Sequence, residues 1–183
     1  MKQLPYDELI KQMDRHFLTE TLKEMVLIKS ENPFDEQPRA GFREKEMGEY
    51  LADKMSELGM EVTSRDVRPG RPNVFGTLKG TGDGPTLMLA GHMDTARTDG
   101  YDGAYDVFEE EGKIYGRGTC DMKAAIAAYL EVARLLKASG TALGGDLIIA
   151  GVCDEEYQMI GSQDVGKNGT VAHKGINGEP TNK

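Results

Sequence analysis

The feature that most restricts the fold is an apolar run, a long helix and a second apolar run in the middle of the chain. Thr86–Ala90 and Asp146–Cys153 are short and apolar, and the turn-rich stretch GTGDGP bounds the first of them. Between the two, Met122–Lys137 is rich in Ala and Leu and polar only at Lys123, Glu131, Arg134 and Lys137. A helix with so wide an apolar sector has to be covered by a sheet. Strands separated by helices predict an α/β layer fold with a mixed, mostly parallel sheet and helices on both faces.

The flanking sequence fills in this outline. From Tyr6 to about Lys29, Leu9, Ile10, Met13, Phe17, Leu18, Leu22, Met25 and Val26 recur at helical spacing until Asn32-Pro33 stops them, which predicts one amphipathic helix. A second stripe, Met47, Leu51, Met55 and Leu58, predicts a helix from about Arg43 to Leu58, with Gly59 in the C-terminal position that favours left-handed backbone. Met60–Val67 and Asn73–Leu78 read as strands joined through RPGRP, Val107–Tyr115 as a hairpin turning at Glu111-Gly112, and the segment after Met159 as the start of a helix. At 183 residues the chain suffices for one domain, or for a piece of one. Its last residues, GINGEPTNK, read as a strand running into a loop rather than as a natural terminus.

Charge narrows the partners. Lys and Arg total 22 against 31 for Asp and Glu, a formal net charge of -9, and no basic stripe is interleaved with aromatics. Nucleic acid and anionic membrane surfaces are therefore not expected as partners. The start MKQLPYDELI has no apolar signal region and no apolar run is long enough to span a bilayer, so a soluble, cytoplasmic protein is expected. Cys120 and Cys153 are too few for a disulfide framework, and the simplest reading is two small buried thiols near strand ends.

Four constellations carry chemistry. In LMLAGHMDT an apolar strand empties into His92 and Asp94, which share one side of an extended segment, so that one binds a metal while the other fixes the imidazole tautomer. In YGRGTCDMKAA, Asp121 opens the Ala-rich helix after two glycines, and a simple N-cap explains it equally well. In GVCDEEYQMIGSQ, three consecutive acids follow an apolar strand, where they repel one another unless water or a cation relieves them. Glu155 and Glu156, facing opposite ways on extended backbone, would divide their labour. The fourth is Glu179 in GEPT, framed by Gly and Pro. Each taken alone is also the pattern of a solvated loop or turn. All four fall where an α/β sheet presents its strand ends, and ligands of such sheets bind outside the carboxyl ends of the strands. One imidazole with several carboxylates suits a borderline-to-hard divalent ion.

Competing motifs do not hold. GTGDGP lacks the third glycine and following helix of a dinucleotide loop, no GK[ST] phosphate loop occurs, and DGYDG has the wrong spacing for a calcium loop. Ser162 has no evident His partner, and His16 lies on an amphipathic helix where a surface position explains it.

These residues resemble the co-catalytic zinc peptidase family of aminoacylase, acetylornithine deacetylase, succinyl-diaminopimelate desuccinylase and glutamate carboxypeptidase. The resemblance runs in order through KSENP (Lys29–Pro33), GHMDT, YGRGTCDMK, DEE and GEPT. It implies two zinc ions, with Co2+ or Mn2+ as possible substitutes, and hydrolysis of amide or peptide bonds in small N-acyl amino acids or short peptides. It also implies roles: His92, Asp121, Glu156 and Glu179 as metal ligands, Asp121 bridging both ions through a cis peptide to Met122, Asp94 orienting His92, and Glu155 as general base. Departures touch the substrate side and the supporting helix: Ala96-Arg97 stands where Val-Pro is usual, Ala124-Ala125 replaces a common Gly-Gly, and Tyr157-Gln158-Met159 lengthens the acidic segment. Family members continue into a lid and dimerisation domain and a returning catalytic segment with a further His ligand. The expectation is therefore the N-terminal portion, residues 1–183, of one catalytic domain, inactive alone, from an enzyme that is homodimeric at full length. Non-catalytic binding and a related two-metal aminopeptidase are the alternatives.

Overall fold

The structure, a computed structural model, describes residues 5–34, 44–168 and 172–181. Five strands form one sheet: β1 (Glu61–Arg68), β2 (Arg71–Leu78), β3 (Leu87–His92), β6 (Leu147–Val152) and β7 (Lys174–Asn177), in the order β1-β2-β6-β3-β7. The β1/β2 and β2/β6 pairings are antiparallel, whereas β3 runs parallel to both β6 and β7. The sheet is mixed, as the sequence predicts, but not mostly parallel: among the described residues parallel and antiparallel pairings are equal in number, because β1 and β2 form a hairpin that joins β6 antiparallel. The hairpin expected over Val107–Tyr115 is β4 (Phe108–Glu110) paired with β5 (Lys113–Tyr115).

The strand at the centre, β6, is buried along its whole length, as its unbroken apolar sequence requires. Alternate residues divide the core. Val74, Leu89, Leu147 and Ile149 face α2 (Arg15–Leu27), α3 (Glu44–Glu57) and α4 (Ala124–Ser139), meeting Met25, Leu51, Met55, Ile126 and Leu130. Phe75, Met88, Ile148 and Ala150 face the other way, towards Val165 of α5 (Ile160–Asn168). Helices cover both faces, α2, α3 and α4 on one and α5 on the other.

The single helix expected from Tyr6 to Lys29 is broken. A short α1 (Tyr6–Ile10) precedes a turn, and Asp14 caps α2 by accepting the Phe17 N–H at 3.0 Å. The break has a tertiary cause. Glu131 of α4 accepts the Asp14 backbone N–H at 2.7 Å, and Arg134 donates to the Gln12 carbonyl at 3.0 Å, so helical bonding is replaced by bonds to a neighbouring helix. The second helix matches its stripe, and Gly59 after it has a φ of 73°. Arg43, the expected start of that helix, and Lys183 lie outside the described residues.

The parallel strands fix where chemistry collects. The C-terminal ends of β3, β6 and β7 lie along one edge of the sheet, and α4, which crosses between β3 and β6, begins there. Among the described residues, no helix is long and apolar enough to cross a membrane. Both cysteines are free, but only Cys153 is buried. Cys120 is exposed, contrary to expectation, because it sits on the irregular turn before α4 and not inside a strand.

Candidate metal centre

His92 is the last residue of β3 and is almost fully buried. Its Nδ1 lies 2.8 Å from the Asp94 carbonyl oxygen, an acceptor only, so this nitrogen carries the hydrogen. Nε2 is thereby turned to the sheet edge, 2.9 Å from Asp121 Oδ1. The tautomer-fixing bond expected from the Asp94 carboxylate is thus made by its backbone carbonyl. The carboxylate stands at 3.5 Å from Nδ1 and is otherwise engaged. It accepts the backbone N–H groups of Glu155 at 3.0 Å and Glu156 at 3.1 Å, and the side-chain amide of Asn32 at 2.7 Å.

Asp121 does not cap α4. It lies on the irregular turn Thr119–Lys123 with extended backbone, and the Asp121–Met122 peptide is cis. Its carboxylate is half exposed and directed at His92. Gly118, with a φ of 83°, admits the turn, and the Lys123 N–H closes it on the Gly118 carbonyl at 2.9 Å. Glu179 follows β7, and one of its oxygens lies 3.8 Å from His92 Nε2. His92, Asp121 and Glu179 each offer a ligand atom, all within 4.8 Å of one another.

Glu155 and Glu156 occupy a turn rather than the extended backbone assumed from sequence, yet their carboxylates still part company. Glu155 Oε2 stands 3.8 Å from His92 Nε2. The Glu156 carboxylate lies instead on the side of the Ala96 backbone N–H, which opposes its upward shift. A pocket of about 250 Å³ opens beside the centre, with His92, Glu155 and Glu179 at one end and Met88, Ala90 and Val165 along its apolar wall.

Electrostatics shows what this donor set lacks. Burial raises the Glu155 carboxyl, and the charges of Glu179, Asp94 and Asp121 raise it further against the pull of His92. Glu156 is raised by burial and then by Asp121. For His92, burial works downward, but Asp94, Asp121 and Glu179 outweigh it and push the imidazole up to about 10. Among protein groups alone, the ring proton is the charge that compensates the acids. A divalent cation taking its place on Nε2 meets a neutral imidazole and several carboxylate oxygens, the donor chemistry that such ions select. The residues present therefore fit a metal.

Sequence reasoning missed the support beneath these groups. Asn32, Glu44, Arg71, Lys123 and Asp154 carry it, and all but Arg71 are buried. Lys123 Nζ donates to the Met25 and Ile28 carbonyls, both at 2.9 Å, which ties the end of α2 to the turn bearing Asp121. Burial pulls its ammonium down to about 7. Ser30 donates to the Met93 carbonyl at 2.6 Å, and Asn32 N donates to the Thr95 carbonyl at 2.9 Å, so KSENP lies alongside HMDT like a further strand. The only sequence signal for this layer was the KSENP motif itself.

Comparison with known proteins identifies the family. The model of Peptidase family M20/M25/M40 matches residues 88–183, just over half of the chain. The chain belongs to this family. Among curated proteins of similar sequence, N-formyl-4-amino-5-aminomethyl-2-methylpyrimidine deformylase of Bacillus subtilis is 36% identical over 126 residues, covering 66% of this chain and 30% of the deformylase. Acetylornithine deacetylase of Vibrio vulnificus is 36% identical over 118 residues, covering 63% and 30%. This M20/M25/M40 chain thus spans about 30% of the length of these relatives. Among solved structures, aminopeptidase PepT of Bacillus cereus superposes with a TM-score of 0.74 at 26% identity, over 90% of this chain and 43% of that one. A Staphylococcus aureus tripeptidase does so with a TM-score of 0.72 at 27% identity, over 90% and 43%. The α/β layer read from the sequence is the fold of these M20 relatives.

Proposed function

We propose that the chain carries the metal-binding and proton-transferring part of a hydrolase that cleaves amide or peptide bonds in small N-acyl amino acids or short peptides. The observation that carries this reading is the meeting of His92, Asp121 and Glu179 within 4.8 Å, from three separate parts of the chain, with Glu155 beside them. In this reading His92, Asp121 and Glu179 hold one zinc ion, and Asp121 with Glu156 faces a second, Co2+ and Mn2+ being substitutes. When bound, the ions polarise the scissile carbonyl and make water acidic enough to attack near neutral pH.

The protein's own groups do the rest. Asp94 keeps His92 in the tautomer that leaves Nε2 free as a ligand. Glu155 accepts the proton of the attacking water on a carboxylate oxygen and returns it to the departing amine. Its upward shift, from burial first and neighbouring acids second, is the direction a base working near neutrality needs. The pocket beside the centre supplies a dry wall for part of a small substrate.

In this reading residues 1–183 act as the N-terminal portion of one catalytic domain in a longer, cytoplasmic, homodimeric enzyme, and are inactive alone. The share of the relatives' length that the chain spans, 30%, supports the greater length of the whole protein. The deformylase and deacetylase favour an acylated amine as substrate, whereas the tripeptidase and aminopeptidase favour a free N-terminus. Side-by-side hydrolysis of an N-acetyl amino acid and an aminoacyl anilide by a longer version of the protein separates the two. In that protein Glu155→Gln should keep the metal and lose turnover for whichever substrate is used. Undiminished turnover in the variant refutes the role given to Glu155.

A further inference from the structure

Asn32 is fully buried, and every polar atom of its side chain is engaged. Nδ2 donates to Asp94 Oδ2 at 2.7 Å and to Asp154 Oδ1 at 2.9 Å, while Oδ1 accepts the Phe34 N–H at 2.9 Å. This fixes the amide's orientation. Turned over, its oxygen would face two carboxylates and its nitrogen would face an N–H.

Both acids that it joins are also buried, and each sets part of the centre. Asp94 accepts the N–H groups of Glu155 and Glu156 on its carboxylate and the His92 ring hydrogen on its carbonyl. Asp154 has a φ of 63°, left-handed backbone that a non-glycine residue keeps only when its surroundings hold it. Its N–H donates to Glu44 Oε1 at 2.9 Å, and its carboxylate lies 2.8 Å from Arg71 Nη2. Asn32 thus stands between the residue that orients His92 and the one that kinks the chain into Glu155–Glu156. Without its two N–H groups, Asp94 Oδ2 is left with the Glu156 N–H and Asp154 Oδ1 with the Arg71 guanidinium, each buried carboxylate loses a donor, and the link between the two is gone.

We propose that Asn32 is a positioning residue of the metal centre: by donating to Asp94 and Asp154 together, it holds the imidazole ligand and the Glu155–Glu156 turn in register. The inference rests on the metal-binding reading. The test uses this chain, as wild type, Asn32→Ala and near-isosteric Asn32→Asp, each kept below its melting temperature. Two quantities are read: Co2+ affinity by absorbance titration, and hydrogen exchange of the Glu155 and Glu156 amides by NMR.

Outer partners of metal ligands typically contribute ten- to a hundredfold in affinity, so both variants should bind Co2+ about 10-fold or more weakly. Both amides should exchange faster, with N32D no better than N32A because it restores volume but not the donors. Wild-type affinity in either variant, or recovery in N32D of what N32A loses, overturns the proposal, since filling space would then be the whole role. If N32D does not fold, Asn32→Ser replaces it: one donor should give an intermediate loss, and wild-type binding counts against the idea. Failure of wild type to bind Co2+ strikes at the metal reading itself. The amide exchange then decides on Asn32 alone, faster exchange supporting its placement and unchanged exchange overturning it.

Discussion

His92 and Lys123 show how single side chains are given a task by what each polar atom faces. One imidazole nitrogen is committed to a carbonyl, which leaves the other to the carboxylates of Asp121 and Glu179. Lys123 is the opposite case, a cation withdrawn from water to satisfy two carbonyls at the end of α2. Lys123→Met should therefore cost about 2 kcal/mol or more in urea unfolding, because two buried carbonyls lose their donor. A change within about 0.5 kcal/mol, the range of ordinary surface substitutions, would contradict this role. His92, Asp121 and Glu179 stood out in sequence as candidates because they fall at strand ends of an α/β fold and within motifs of the family resemblance. Lys123 was not, since at the start of an Ala-rich helix it reads as one more polar position. Nor was Asn32, whose two carboxylate partners lie 62 and 122 residues away.

At the level of elements, periodicity located the helices but not their interruptions. The stripe from Leu9 to Val26 is continuous, yet the chain turns between α1 and α2 because Glu131 and Arg134 of α4 take the backbone groups of Asp14 and Gln12. No local pattern carries that information. Asp14 then serves as N-cap, and Asp14→Ala should destabilise the protein by about 1 kcal/mol. Thermal unfolding checks this, and an unchanged melting temperature would show that Glu131 alone sets the start of α2. Strand boundaries were closer to their sequence limits, because β3 and β6 are buried runs ended abruptly by the polar residues of the site. The turn before α4 was hidden, because Asp121 has the chemistry of a cap and the conformation of something else.

Across the whole molecule, buried charge is concentrated at one end of the sheet, and stability should respond to pH accordingly. Glu44 is pushed up to about 7 by burial first, with Asp94 adding to it and Arg71 opposing. An acid raised above its unfolded value contributes stability that is fully present below about 4.3 and is lost as pH rises through the folded value. Stability should therefore fall between about pH 4.5 and 7, and Glu44→Gln should flatten that slope; an equal slope in the variant would assign it to other groups. The mixed sheet with helices on both faces was readable from the apolar runs. The support linking KSENP, HMDT and DEE was not, because it is built from contacts between distant segments. Function depends on these segments meeting to hold a cation. Zinc content after loading and dialysis, measured on the wild-type chain beside His92→Ala, tests that most directly. The account predicts about one retained equivalent in the wild type, where one ligand set is nearly complete, and none in the variant. A wild-type chain that emerges without zinc, or a variant that keeps it, would contradict it.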